Sequence, residues 1–335
     1  PGRHEARRHH LAGPACTTPP VGRRGGVGGG GPPRGGRPTL GRRDARTGFL
    51  FLLPLLAGLL VFRLYGFGYN VWLSFTKAGA FGPAKYTGLD NYRRLASDSQ
   101  LEVALINTFK FCAIVVPAVV VVSLLCATLM QYRIRGASVF RAVVFLPAVT
   151  LPTAAIMLFG WLFQTRYGLI NAAVQKLGGS PVSWFGSSSG VTVVVTVIVV
   201  FLSFSVPTII LYAGMQDIPC DVYEAATLDG AGPVRRFFSI TVPLLSPSLF
   251  FVILTTTIST LKLFDVVYIL LPPGQSVSVN YGLTAVYYYY QLAFLNMGDR
   301  GYASAVSLVL FVLILAVSVV LFRLQRRFVH YGEDG

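Results

Sequence analysis

The chain has 335 residues, of which 53% are hydrophobic and only 12% charged, and its formal net charge is +15. Soluble proteins carry about 25% charged residues, so this composition, together with apolar runs close to twenty residues long, indicates a polytopic membrane protein. The charge does not indicate a nucleic-acid-binding protein, because ten of the 28 basic residues lie in the first 47 positions and most of the others flank apolar segments.

The chain starts with a tail, residues 1–47, that is rich in Gly, Pro and Arg and has almost no apolar periodicity. This composition predicts disorder. The arginines of the tail are expected to hold the N-terminus in the cytoplasm, because basic residues are retained on that side of a membrane. A second short tail, residues 326–335, is expected to end the chain on the same side.

Residues 48–325 are expected to form one all-α membrane domain. Six apolar segments predict its transmembrane helices, with ends uncertain by several residues, and they are 49–69, 106–130, 139–163, 191–214, 243–270 and 304–322. An even number of spans returns the C-terminus to the cytoplasm. Pro147 and Pro152 predict kinks in the third span, which are tolerated where neighbouring helices or a cavity satisfy the freed backbone groups.

A polar stretch from Asp217 to Val242 separates the fourth and fifth spans, and it is named the elbow below. Local signals divide it into two short helices. Asp221 is a candidate N-cap of the first helix, with Glu224 three residues later as in a capping box. Gly230 can end that helix in a left-handed conformation, and Pro233 suits the first turn of the second helix.

The spacing within the elbow resembles the cytoplasmic loop signature of the permease subunits of bacterial ABC importers. The matching positions are Glu224-Ala225-Ala226, then Gly230, then Ile240 followed by Val242-Pro243, where the family usually has Leu instead of Val242. The resemblance implies that the elbow docks on an ATPase subunit, with two alanines keeping one face thin and a carboxylate offering a charge-assisted contact. The predicted coupling residues are Glu224, Ala225, Ala226, Asp229, Gly230, Ala231, Ile240 and Pro243.

Three further segments are similar to segments of sugar-importing permeases. They are Gly88-Leu89-Asp90-Asn91-Tyr92, Gly168-Leu169-Ile170-Asn171 and Gly301-Tyr302-Ala303-Ser304-Ala305. With the elbow, they make the chain resemble the first permease of maltose- and glycerol-phosphate-type systems, in the carbohydrate branch of type I ABC importers. The resemblance implies a bacterial plasma (inner) membrane location. It also implies three kinds of partner: a second homologous permease, two cytoplasmic ATPase subunits and an extracytoplasmic solute-binding protein.

A few polar side chains within or near the spans are candidates for the substrate pathway. Lys262 and Asp265 lie three residues apart in the fifth span, a spacing that places both on one face of a helix, and intramembrane ionisable residues are functional candidates. They can line the pathway, pair with each other, or lie at the outer interface. Asn107 is a third candidate, and Tyr287 and Tyr290 either stack on sugar rings or belong to an interfacial aromatic girdle.

The chain carries no Gly-x-x-x-x-Gly-Lys-Ser/Thr phosphate loop, no credible catalytic set and no metal-ligand spacing. We therefore predict a transport subunit without catalytic or metal-binding residues and without a cofactor of its own, while ATP and Mg are used by the partner ATPases. Two alternatives stay open. One is a permease for a solute other than a sugar, and the other is a secondary carrier driven by an ion gradient.

Overall fold

The computed structural model describes residues 42–79, 83–131, 136–272, 278–295 and 299–328. Most of these residues are helical, which confirms the all-α prediction. The predicted disorder of residues 1–41 lies outside the described residues. The first helix begins at Arg42, so residues 42–47 are helical, contrary to the predicted tail boundary.

The helices are numbered in chain order. The part before the elbow contains α1 (Arg42–Leu59), α2 (Gly66–Ser74), α3 (Asp90–Leu95), α4 (Ser99–Gln131), α5 (Ala137–Val149), α6 (Pro152–Leu162), α7 (Leu169–Lys176), α8 (Ser188–Ser203) and α9 (Ser205–Gln216). The elbow and the part after it contain α10 (Cys220–Leu228), α11 (Pro233–Arg236), α12 (Val242–Leu244), α13 (Ser246–Leu261), α14 (Asp265–Leu270), α15 (Ser278–Gly282), α16 (Ala285–Tyr290) and α17 (Arg300–Phe328). Three π-helical segments and a two-stranded antiparallel sheet complete the described structure: Leu60–Tyr65, Phe237–Thr241, Gln291–Leu295, β1 (Thr76–Lys77) and β2 (Lys85–Tyr86).

Three helical stretches are long and apolar enough to cross a membrane unaided: Phe49–Ser74, Ser99–Gln131 and Arg300–Gln325. Three further pairs of helices, each bent at a short break, are long and apolar enough to cross a membrane only when the two helices of a pair count as one span. This gives up to six spans in the described part of the chain, and the sequence predicts six. The pairs are α5 with α6, α8 with α9, and the end of the elbow with α13, bent by 101°, 51° and 71° respectively.

Prolines account for two of these bends. Leu151 has an extended backbone and Pro152 is the first residue of α6, because a residue that precedes proline avoids the helical conformation. The bend between α8 and α9 follows Ser203, four residues before Pro207. Proline there lacks the N–H that would bond this carbonyl, and its ring pushes the carbonyl away.

The helix α4 lies at the centre of the packing and contacts α8, α9, α13 and α16. Its buried residues Phe111, Val115 and Val119 belong to the main hydrophobic cluster. A smaller cluster, nearer the elbow, joins Ala127 of α4 to residues of α9 and α13, among them Leu211. By contrast, the span Phe49–Ser74 buries none of its apolar window within this chain, which leaves that surface to lipid or another subunit.

The Gly-Leu-Asp-Asn-Tyr segment attaches α3 to the end of α2. Asn91 is buried, and its side-chain amide donates hydrogen bonds to the backbone oxygens of Ser74 (2.7 Å) and Thr76 (2.9 Å). The hydroxyl of Tyr92 lies 2.8 Å from that of Ser74. The segment therefore has a structural role in this chain.

Asp98 ties together three helices, α4, α16 and α17, at the end of the molecule opposite the elbow. It precedes α4, and its carboxylate accepts hydrogen bonds from the backbone N–H groups of Gln100 (2.9 Å) and Leu101 (3.2 Å), as an N-cap does. It also accepts hydrogen bonds from the hydroxyls of Tyr288 (2.6 Å) and Tyr302. Burial alone would raise the pKa of Asp98, but these four hydrogen bonds hold the pKa below its usual value.

An ion pair between Arg94 and Asp299 lies beside these hydrogen bonds. Asp98, Tyr288, Tyr302, Arg94 and Asp299 are together named the Asp98 cluster. The guanidinium of Arg94 lies 4.2 Å from the centre of the Tyr302 ring. The backbone N–H of Tyr302 donates to the Asp299 carboxylate at 3.3 Å. The cluster thus joins α3, α4, α16 and α17.

Replacing Asp98 with Asn should lower the thermal denaturation midpoint of the detergent-solubilised protein by several degrees at pH 7. The reason is that charge-assisted hydrogen bonds contribute about 1.5–3 kcal/mol each, and Asn offers fewer and weaker acceptors. Because the folded-state pKa of Asp98 is lowered, its stabilisation is present above the unfolded-state pKa and is lost as the pH falls through the folded-state pKa. The difference between wild type and variant should therefore shrink below about pH 4.

Asp90→Asn is the matched control, because the Asp90–Arg93 pair is exposed and 3.9 Å long and exposed pairs contribute about 0–1 kcal/mol. Equal midpoints for Asp98→Asn and wild type at pH 7 would contradict the structural role assigned to Asp98.

Candidate functional site

The elbow contains the two short helices that the sequence predicts, α10 and α11. The predicted capping box is wrong: α10 begins at Cys220, directly after Pro219, and no side chain caps it. Asp221 lies in the first turn instead, where a carboxylate is favoured by the helix dipole. Pro233 occupies the first turn of α11, as predicted.

Gly230 ends α10 in the left-handed conformation that the sequence predicts, with a φ of +75°. The N–H of Gly230 donates to the carbonyl of Thr227 at 3.1 Å, and the N–H of Ala231 donates to that of Ala226 at 2.9 Å. These two bonds form a Schellman motif, which satisfies carbonyls at the end of the helix. The direction of the chain after α10 therefore depends on a conformation that suits glycine.

The two sides of α10 differ in exposure. Tyr223 and Ala226 are buried against the rest of the chain, whereas Glu224, Ala225 and Leu228 are exposed. The two alanines therefore point to different sides, so they do not form the single thin face that the sequence suggested. Only the exposed side is available to a partner.

The remaining predicted coupling residues surround the end of α10 and the approach to α13. Asp229, Gly230 and Pro243 are exposed, while Ala231 and Ile240 are half-buried. The sequence analysis missed Leu228, which is 90% exposed. Its position four residues after Glu224, on the same side of a helix, was the signal that could have identified it.

Hydrogen bonds fasten α10 to the segment that follows it. The hydroxyl of Tyr223 lies 3.0 Å from that of Thr241, and both side chains are buried. The guanidinium of Arg236 donates to the hydroxyl of Thr227 at 2.9 Å. These bonds join α10 to α11 and to the π-helical segment Phe237–Thr241, which continues into α12.

A groove of about 350 Å³ lies between the α8–α9 bend and α13. Five of its lining residues carry hydroxyls, and they are Ser203, Thr255, Thr256, Ser259 and Thr260. Its remaining lining residues are apolar, including Leu202, Val206, Ile210 and Leu263. This volume is in the usual range for small-molecule sites, and so is the combination of an apolar wall with a few polar groups. It is named the hydroxyl groove.

The structure separates Lys262 from Asp265. The prediction that both lie on one face of a helix is wrong, because α13 ends at Leu261 and α14 begins at Asp265. Both side chains are exposed, and the ion pairs of the described residues do not include them. Lys262 directly follows α13 and is not among the residues that line the hydroxyl groove.

The other predicted pathway residues lie inside the protein or at its edge. Asn107 is buried and donates to the backbone oxygens of Asn280 (2.9 Å) and Leu283 (3.2 Å). Tyr287 is fully buried, and its hydroxyl donates to the carbonyl of Leu271 at 2.9 Å. In this conformation Asn107 fastens α4 to α15 and to the segment before α16, and Tyr287 fastens α16 to the end of α14.

Tyr290 belongs to an aromatic cluster and is only partly buried. Its ring centre lies 5.0 Å from that of Phe264, 5.1 Å from that of Tyr268 and 5.2 Å from that of Phe294. Phe294 is 58% exposed. The structure therefore places Tyr290 at an accessible aromatic surface beside the break between α13 and α14. The buried Tyr287 packs against two rings of the same cluster, with its ring centre 6.1 Å from that of Phe264 and 5.8 Å from that of Tyr268.

Comparisons with known proteins identify the family to which the chain belongs. The chain is 34% identical over 288 residues to the trehalose/maltose transport system permease protein of Thermococcus litoralis, a match that covers 85% of this chain and 95% of that one. It is 32% identical over 286 residues to the sn-glycerol-3-phosphate transport system permease protein of Yersinia pestis, covering 84% and 95%.

A similar fold is found in the crystal structure of a bacterial ABC transporter involved in the import of the acidic polysaccharide alginate. The TM-score is 0.74 at 18% identity, over 86% of this chain and 97% of that one. Residues 105–330 match the family model described as binding-protein-dependent transport system inner membrane component. The chain is therefore a multi-pass membrane protein that belongs to the family of binding-protein-dependent transport system inner membrane components.

Proposed function

We propose that this chain is a permease subunit of an ATP-driven importer and forms half of the pathway for a sugar or sugar derivative. The observation that carries the proposal is the hydroxyl groove, in a chain whose family is that of binding-protein-dependent transport. Five hydroxyl side chains beside an apolar wall match the two kinds of surface that a sugar presents, its hydroxyls and its C–H face. The relatives named for trehalose/maltose and for sn-glycerol-3-phosphate support this solute class.

The elbow is the proposed docking site for a cytoplasmic ATPase subunit, through Glu224, Ala225, Leu228 and Asp229 on its exposed side. Ala226 contributes from the inner side by allowing α10 to pack closely, and Gly230 sets the direction of the chain after it. In this proposal ATP and Mg are bound by two ATPase subunits and not by this chain, which has no catalytic site of its own. A second permease and an extracytoplasmic solute-binding protein complete the assembly.

Transport then proceeds by alternating access. ATP binding draws the two ATPase subunits together, the elbows move with them, and the groove changes from inward-facing to outward-facing. Reversing a 1:99 population to 99:1 requires about 5.5 kcal/mol, so the elbow must remain docked throughout. The hydrogen bonds of Tyr223 and Arg236 suit this requirement, because they join α10 to α11 and to the π-helical segment Phe237–Thr241 that continues into α12.

Uptake of radiolabelled sugars, measured in cells with and without the gene, tests the proposal. We expect uptake of one sugar or sugar derivative to depend on the gene and to fall to background after ATP depletion. A sodium or proton ionophore added at constant ATP is the control and should leave uptake unchanged.

Two results favour the alternatives. Uptake that persists without ATP but is abolished by the ionophore indicates an ion-driven carrier. Uptake that is unchanged for every sugar in the panel contradicts the carbohydrate assignment and moves the search to other solutes.

A further inference from the structure

The inner side of the elbow meets the end of α4 at a small cavity. Thr128 and Gln131 of α4 form one wall of this cavity. Elbow residues form the rest, and they are Tyr223, Pro233, Arg236, Phe237 and Thr241. The cavity is the place where movement of the elbow can reach α4.

Arg236 uses only part of its hydrogen-bonding capacity there. One terminal nitrogen donates to the hydroxyl of Thr227 at 2.9 Å. The Nε atom is buried, and within the described residues no hydrogen bond satisfies it. A buried donor of a charged group costs free energy when it has no acceptor. A conformation that gives Nε an acceptor avoids this cost.

The end of α4 supplies such an acceptor. The helix ends at Gln131, which lines the same cavity. The side-chain oxygen of a glutamine is a hydrogen-bond acceptor. The C-terminal end of a helix also carries partial negative charge, because its last carbonyls lack partners within the helix. A guanidinium is therefore attracted to this position for two independent reasons.

We propose that Arg236 is a positioning residue that links the elbow to α4 in one state of the transport cycle. In that state Nε donates to the side-chain oxygen of Gln131, while the terminal nitrogen keeps its bond to Thr227. In the conformation described here, the hydrogen bond between Arg236 and Gln131 is not formed. The inference rests on the proposed function and adds to it the route by which elbow movement reaches the central helix.

The neighbouring Arg235 provides a matched control. It lies in the same short helix, α11, and carries the same charge, but its side chain is exposed and does not line the cavity. Arg236→Gln and Arg235→Gln therefore remove the same charge from adjacent positions, and only the first removes the proposed link.

The test measures the ratio of ATP hydrolysed to solute imported, with the complete assembly reconstituted in proteoliposomes. The probe is radiolabelled trehalose, maltose or sn-glycerol 3-phosphate, whichever the wild-type assembly imports. Arg236→Gln should raise the ratio about tenfold, within the range seen for residues that modulate coupling, while the amount of co-purified ATPase stays unchanged. Arg235→Gln should stay within about twofold of wild type.

Two further variants separate the proposed link from a purely structural effect. Arg236→Lys keeps the charge but cannot hold Thr227 and Gln131 together, so its ratio should rise above that of wild type. This result tests the link even if Arg236→Gln fails to assemble. The double variant Gln131→Ala/Arg236→Gln should be no worse than Arg236→Gln alone, because both changes remove the same contact.

An unchanged ratio in Arg236→Gln, a wild-type ratio in Arg236→Lys, or additive effects in the double variant would each overturn the role of Arg236. A wild-type assembly that imports none of the three probes, together with uptake in cells that is independent of the gene for every sugar in the panel, contradicts the proposed function itself. The two failures are therefore distinguishable.

Discussion

Replacing Glu224 with Lys should abolish ATP-dependent uptake while the amount of membrane-inserted protein stays unchanged. Glu224 is exposed on the outer side of α10, and the hydrogen bonds and ion pairs of the described residues do not include it. Its replacement should therefore change the free energy of folding by less than about 0.5 kcal/mol. In contrast, a lysine presents a positive charge to the basic group expected on the partner, and like charges across an interface are strongly unfavourable.

The measurement combines uptake with the amount of ATPase subunit that co-purifies with the permease. Asp217→Lys is the control, because Asp217 is also exposed and the change in charge is the same, but it follows α9 and lies outside α10. Its uptake should stay within about threefold of wild type, because rim charges affect binding only modestly. Normal uptake and normal co-purification in Glu224→Lys would remove the elbow as the docking site.

Replacing Gly230 with Pro should also abolish uptake, through the geometry of the elbow. Gly230 has a φ of +75°, whereas proline fixes φ near −65°. The change also removes the N–H that donates to Thr227 at 3.1 Å. The end of α10 must therefore rearrange, and the exposed side of the helix no longer keeps its orientation relative to α13.

Gly232→Ala tests whether any glycine change in this loop has the same effect. Gly232 has a φ of −67°, and a Cβ atom there meets no other atom within 4 Å, so this variant should transport normally. Gly230→Ala should give an intermediate result, because a left-handed conformation costs a non-glycine residue about 1–3 kcal/mol. Wild-type uptake and ATPase recovery in Gly230→Pro would show that the Schellman motif is dispensable.

The sequence predicts the local features of the elbow well because short-range physics determines them. Gly230 and Pro233 are identified correctly, since a left-handed helix end and a first helical turn each favour one residue type. Asp221 is misassigned because Pro219 already permits the helix to begin at Cys220. Two residues that can each start a helix lie close together here, and local rules do not choose between them.

The break between α13 and α14 was not predictable in the same way. Neither glycine nor proline lies between Leu261 and Asp265. The hydroxyl of Thr284 instead holds the break open by donating to the carbonyl of Leu263 at 2.7 Å, across 21 residues of sequence. The two charged residues were therefore assigned to one helix, because the contact that separates them is tertiary.

The Asp98 cluster also could not be predicted from the sequence, because its contacts are tertiary. Tyr288 and Tyr302 lie 190 and 204 residues from Asp98 along the chain. The sequence predicts that the tyrosines near the end of the chain either stack on sugar rings or form an interfacial girdle, and it favours the girdle. Only their packing distinguishes the fully buried Tyr287 from the partly exposed Tyr290.

The length of α4 gives the molecule a mechanical connection between its two ends. With 33 residues it is about 50 Å long, which exceeds the roughly 30 Å thickness of a bilayer's hydrocarbon core. One end is anchored by the carboxylate of Asp98, and the other forms a wall of the Arg236 cavity. A displacement imposed at either end can thus reach the opposite membrane surface along one helix, in which Pro117 is the one residue that lacks a backbone donor.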